Sequence, residues 1–179
     1  MGPYLTKTFS SRRYEIWSMQ SNYHNVPMLN GVPEKEGRQY ASRQATFDPK
    51  RMKFSVDFAG TYPAEACVTS MLRNVSLKKG KVTIQDSYTL SESRQPADFN
   101  WLTWGDVDIT TPGKVRITVQ GETVTLQYDS KKLEPFLETI VQDDPPLKRV
   151  WGEKIYRVTL RERKAAVKGN YTFTLIPGE

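Results

Sequence analysis

Apolar and polar residues alternate with a period of two along nearly the whole of this chain, in short segments rich in β-branched and aromatic residues that Gly, Pro, Asn or Asp interrupt. Side chains leave a strand on opposite faces at successive residues, so the pattern commits the chain to sheets with one buried face. Residues 6–9, 14–19, 39–47 and 52–58 read as the first strands. Segments 68–77 and 81–90 then flank Lys79 and Gly80, and 114–119 and 123–128 flank Gln120, Gly121 and Glu122, which predicts two hairpins. The pattern returns at 153–162 and 171–176, with the polar stretch 164–170 as a connection. Only 64–67 and 133–141 leave room for helix, and Pro145-Pro146 favours extended geometry before the alternation resumes at 147–151. Roughly a dozen strands at about 8–12-residue spacing predict an all-β, antiparallel two-sheet β-sandwich with little helix, built as a single domain over residues 1–179.

Composition removes several alternatives. With 179 residues, 37% of them hydrophobic, the chain can bury one sizeable core and is short for two. No apolar run approaches the roughly 20 residues of a membrane-spanning helix, so no membrane span is expected. The first 13 residues lack the apolar core of a signal peptide, and this start reads as the interior of a longer chain. A lone Cys67 excludes an internal disulfide and a multi-thiolate zinc site, and reads as a small core residue. The formal charge of +6 suits a polyanionic partner.

The residues able to carry chemistry are few. His24 is the single histidine, and so the one side chain whose ordinary pKa lies near neutrality. Gln20, Asn22, Tyr23, Asn25 and Asn30 surround it in a run of amides and hydroxyl that suits directed hydrogen bonds to sugars and carboxylates. The plainer alternative is a surface turn in which Asn supplies left-handed backbone. Asp48, Asp57 and Asp86 could supply a carboxylate pair, or merely polar strand ends and turns. Arg12, Arg13, Arg38, Arg43, Lys50, Arg51 and Lys53 crowd the first third and could form a basic face toward an acidic polymer, or a solvated one. No glycine-rich phosphate loop and no Gly-x-Ser-x-Gly elbow occurs, which argues against nucleotide hydrolysis and a serine nucleophile.

Taken in order, Arg13-Tyr14-Glu15-Ile16-Trp17, Met19-Gln20-Ser21-Asn22-Tyr23-His24-Asn25 with Pro27 and Asn30-Gly31, and Gly37-Arg38-Gln39-Tyr40 resemble the start of the C-terminal β-domain of the heparinase II/III-like polysaccharide lyases. Asp57-Phe58-Ala59 with Tyr62-Pro63, Arg73-Asn74-Val75, Ile84-Gln85-Asp86, and Trp151-Gly152 near Tyr156-Arg157-Val158 extend the resemblance over most of the chain. It implies β-elimination on a uronate-containing acidic polysaccharide, held between this domain and an N-terminal helical toroid that these residues do not include. A tyrosine and an Asn or His of the helical part would act beside His24, the expected acid/base or carboxylate-contacting group, while Gln20, Tyr23 and Asn25 would orient substrate.

Some members of that family carry a divalent metal in the β-domain, in certain cases zinc on two histidines and a carboxylate. One histidine cannot supply that set, so a metal here would be oxygen-ligated, through Asp57 or Asp86, and no metal site is assigned. The resemblance also implies a periplasmic or secreted bacterial protein. The competing function is a non-catalytic carbohydrate-binding or adhesion module. Nucleic-acid binding fits less well, because regularly spaced stacking aromatics are missing.

Overall fold

In the computed structural model, which describes residues 7–178, the chain forms two antiparallel sheets. The smaller has four strands in the order β1 (Pro27–Met28), β6 (Asp98–Thr103), β11 (Lys154–Glu162) and β10 (Leu133–Val141). The larger has eight, in the order β2 (Arg43–Asp48), β3 (Lys53–Asp57), β4 (Val68–Lys78), β5 (Lys81–Leu90), β12 (Lys168–Pro177), β9 (Glu122–Gln127), β8 (Lys114–Val119) and β7 (Asp106–Asp108). This is the two-sheet sandwich that the alternation predicts.

Both predicted hairpins form. Lys79 and Gly80 join β4 to β5 with φ of 50° and 74°, and Gln120 and Gly121 join β8 to β9 with 51° and 87°. Two consecutive positive φ values give the tight turn whose twist matches that of its strands, and a glycine in the second place adopts this backbone at little cost.

Between the sheets the inward positions interdigitate. Phe99 of β6 lies 4.8 Å from the Tyr171 ring and 5.2 Å from the Phe173 ring of β12, and Trp101 meets Phe173 edge-on at 5.3 Å. Met71, Val115, Leu126, Leu133, Val158 and Leu160 complete the buried core around them.

A carboxylate bridges the two sheets inside this layer. Glu162, at the end of β11, is buried and accepts hydrogen bonds from the hydroxyls of Tyr88 and Tyr171, on the opposite sheet, and from the Ala97 N–H at 2.8 Å. Burial, reinforced by the neighbouring Glu162, pushes both tyrosine pKa values upward, so each hydroxyl stays a donor. Tyr88→Phe removes one bond to a buried charge and should lower unfolding free energy by about 1.5–3 kcal/mol. The check is a lower urea midpoint at unchanged slope.

Several expected elements differ. Residues 14–19 do not form a strand; Arg13–Glu15, Trp17–Met19 and Ser21–Tyr23 are three successive 3-10 turns, separated by extended Ile16 and Gln20. Their N–H groups are satisfied three residues back, as in Met19 to Ile16 and His24 to Ser21, instead of across a sheet. Of residues 6–9, Thr6 lies outside the described residues and 7–9 form a turn. The strand expected at 39–47 narrows to β2, with an irregularity between Arg43 and Thr46 where Gln44 takes φ 52°.

Two further expectations exchange places. Residues 133–141 are strand β10, paired with β11 over all nine positions, where helix was allowed. Residues 147–151, expected as strand, belong to α1 (Pro145–Trp151), the one α-helix among the described residues. Asp144 caps it by accepting from the Leu147 N–H at 3.2 Å, and the prolines occupy first-turn positions where no N–H is needed. Cys67 is half-exposed in a left-handed turn (φ 59°) instead of in the core.

Candidate functional site

The three 3-10 turns wrap across one end of the smaller sheet and leave His24 exposed at their C-terminal edge. The segment has little regular pairing of its own and is held by anchors from three other elements. The Asn25 Oδ1 accepts from the Leu102 N–H of β6 at 2.8 Å, and the Asn25 carbonyl accepts from Arg73 of β4 at 2.6 Å. Arg157 of β11 donates to the Asn22 carbonyl at 3.2 Å, lies 4.5 Å over the Tyr23 ring and pairs with Glu138 at 2.7 Å.

Arg73 in turn is set by Asp86, directly opposite on β5. The guanidinium donates to both carboxylate oxygens, at 2.7 and 2.6 Å, and the Asp86 side chain is completely buried. Burial alone would make the guanidinium easier to deprotonate; its bonds to Asp86, together with the charge of Asp86 and the nearby Tyr62 and Glu34, outweigh this, and its pKa rises.

His24 stands on the rim shared by two clefts. One, of about 230 Å³, is walled by Trp17, Tyr23, Trp104 and Trp151, with Leu102, Thr103 and Ile155 behind. Trp17 meets Tyr23 edge-on at 5.2 Å and Trp151 at 6.0 Å, while Trp104 is half-exposed. The other, of about 380 Å³, is polar and includes Gln20, Asn22, Glu34, Lys35 and Glu36. Burial raises the Glu34 pKa against the opposing pull of Thr61 and Arg73, and the Glu34 Oε1 is buried without a hydrogen-bond partner. Aromatic faces beside amides and a histidine suit a ligand that is a ring with apolar C–H faces and charged or hydroxylated edges.

Of the residues singled out in the sequence, the structure brings Gln20, Asn22, Tyr23 and His24 together at the two clefts. Gln20 and Tyr23 line the polar and aromatic clefts respectively, with His24 in both. Gln20 also donates to the Tyr14 carbonyl at 3.1 Å. Asn25 lines neither; its side-chain oxygen serves the loop anchor. Asn30 is buried and structural, donating to the Ala66 and Glu92 carbonyls and accepting from the Arg94 and Gln95 N–H groups.

The three aspartates do not converge on a cleft as a catalytic pair. Asp86 is tied to Arg73, Asp57 accepts from the Ala59 N–H, and Asp48 caps its own turn by accepting from the Lys50 and Arg51 N–H groups. These engagements do not fit an oxygen-ligated cation at Asp86, where a metal would have to displace the guanidinium, and no cluster of three metal-binding side chains occurs among the described residues.

Sequence reading by residue type missed the aromatic wall and the two arginine anchors. Tryptophan was the available signal, an amphipathic ring that suits a surface with one apolar and one wet side; three of the four line the cleft and Trp101 belongs to the core. The arginines gave none, because what distinguishes Arg73 and Arg157 is the long-range partner each meets.

Comparison with solved structures finds this fold in the crystal structure of heparan sulfate lyase HepC from Pedobacter heparinus, at 13% identity and a TM-score of 0.67, and in that of a mutant of the same protein, at 14% and 0.67. Each match covers 99% of this chain and 27% of the other, so the chain spans about a quarter of the length of the proteins it matches. At this identity the likeness is one of fold. No family model matches the chain, and neither does any protein of curated function.

Proposed function

We propose that this chain is the C-terminal β-domain of a heparinase II/III-like polysaccharide lyase, a periplasmic or secreted bacterial enzyme, and that it forms one wall of a cleft for a uronate-containing acidic polysaccharide. The observation that carries the reading is the position of His24 on the rim between an aromatic and a polar cleft, in a fold shared along its length with part of a heparan sulfate lyase. In β-elimination a base takes the proton at C5 of the uronate, the electron pair forms the C4–C5 double bond, and the C4–O bond breaks as the leaving oxygen gains a proton. His24 contacts the uronate carboxylate or gives that final proton. Tyr23 and Trp104 carry sugar faces, Gln20 orients an edge, and Asn25 keeps the loop in place. The base belongs to the helical part of the enzyme.

The aromatic lining also favours a non-catalytic carbohydrate-binding module, because stacking faces hold a sugar without any chemistry. Both readings expect the isolated chain to be inert toward heparan sulfate, chondroitin sulfate and alginate, with no rise in unsaturated-uronate absorbance. Both also expect binding of an acidic oligosaccharide that Trp104→Ala weakens about tenfold, or ~1.4 kcal/mol. Unchanged binding in that variant would reject the cleft as the ligand site. Cleavage by the isolated chain would show that it holds a complete catalytic set.

A further inference from the structure

The β2–β3 and β4–β5 hairpins end side by side at one end of the larger sheet, and their tips carry Lys50, Arg51, Lys53, Lys78, Lys79 and Lys81, all exposed. Register sorts the neighbouring strand residues by face. Lys53 pairs with Ser76, and Lys78 with Lys81, which places Lys53, Ser76, Lys78 and Lys81 on the outer face, away from the core. Adjacent strands lie about 4.8 Å apart, so these ammonium groups form one dense positive row. Acidic compensation is one carboxylate: Asp48, directly opposite Lys53 on β2, stands 3.7 Å from Arg51 and accepts from two backbone N–H groups, while the five lysines make no ion pair among the described residues. Two lysines directly opposite across strands oppose folding, which gives their pairing no structural purpose.

The outer face leading away from the row is mostly polar, with exposed Leu72 as its apolar member, and free of aromatic rings. Ser55, Asn74, Ser76, Thr83 and Gln85 stand on it, with the Ser55 hydroxyl donating to the Asn74 Oδ1 at 2.7 Å, and a groove of about 250 Å³ opens beside the irregularity in β2. Phe47 and Phe54 project from the other face. Single-stranded nucleic acid needs rings on which its bases stack. A polymer of hydroxylated rings bearing sulfate or carboxylate groups needs instead cations beside hydrogen-bonding side chains.

We infer that this hairpin end is a second binding site, for a sulfated or carboxylated polysaccharide, separate from the His24 clefts. Lys78 lies five residues beyond Arg73, the anchor of the His24 loop, which is roughly 17 Å along the strand and on the opposite face of the sheet. The site holds polymer next to the domain, and it does so whether or not the clefts bind.

The test compares the parental chain with Lys53→Ser/Lys78→Ser/Lys81→Ser and with Trp104→Ala, measuring affinity for a heparin-type sulfated polysaccharide at several salt concentrations. Single-stranded DNA and neutral dextran serve as comparison ligands. Thermal melts verify folding, and Lys78→Gln alone is the fallback should the triple variant melt early. The triple variant is expected to bind at least tenfold more weakly at low salt, with a salt dependence shallower by about two to three charges; Lys78→Gln alone should make it shallower by about one. Dextran should not bind, and Trp104→Ala should leave the salt dependence as it was. Parental affinity and salt dependence in the lysine variants would overturn the site. DNA binding as tight as that of the polysaccharide, and equally sensitive to the three lysines, would overturn the assigned ligand. Weakened binding in Trp104→Ala with no effect of the lysines would remove this site and leave the cleft reading standing.

Discussion

If the proposed lyase reading holds, His24→Ala in the full enzyme should lower turnover by about 10²- to 10⁴-fold, the range for losing a positioned acid or base, with the melting temperature unchanged. His24 is exposed and packs into no core, so the fold has little to lose with it. A variant that melts normally and turns over at the parental rate would remove this rim from the active site. Asn25→Ala makes a useful contrast. From sequence alone Asn25 is a substrate-orienting residue, but its side-chain oxygen is taken by the Leu102 N–H. Its loss should act through the position of His24, reducing turnover more than substrate affinity.

Asp86→Ala should destabilise the fold by about 3–5 kcal/mol, because it leaves the Arg73 guanidinium buried without its carboxylate. For a chain of this size the loss corresponds to a fall in melting temperature on the order of 10 °C. Replacing the pair together, as Arg73→Met with Asp86→Leu, should recover most of that stability, since neither charge is then stranded. The double variant still lacks the bond from Arg73 to the Asn25 carbonyl. It should therefore be folded yet poor in His24-dependent activity. If it instead melts as low as Asp86→Ala, the pair is not the source of the stability.

The sheets were legible because alternation is a local signal: β4, β5, β8 and β9 fall within a residue or two of their expected bounds, and the two-residue turns announce themselves through Lys79-Gly80 and Gln120-Gly121. The signal fails where the same alternation serves another purpose. In residues 14–19 it places Ile16 inward from a run of 3-10 turns, and no neighbouring strand pairs with it. At Pro145-Pro146 the prolines start a helix instead of forbidding one, because Asp144 stands where a cap is needed. The loop around His24 stood out as a candidate site by residue type, and by type alone. Trp104 and Trp151 come to it from β6–β7 and α1, and the two arginines from β4 and β11, contacts spanning from 48 to 135 residues of sequence in the arginine bonds.

The three anchors on that loop bear on how a ligand would be held. A segment of irregular backbone ordinarily wanders until something settles on it, and the settling consumes part of the interaction energy. Here Leu102, Arg73 and Arg157 have already stilled residues 22–25 when the chain folds. On the proposed reading, a sugar arriving at His24 would meet a wall already in place, so encounter should require no rearrangement of this loop. Differences between related ligands should then show in how long each one stays.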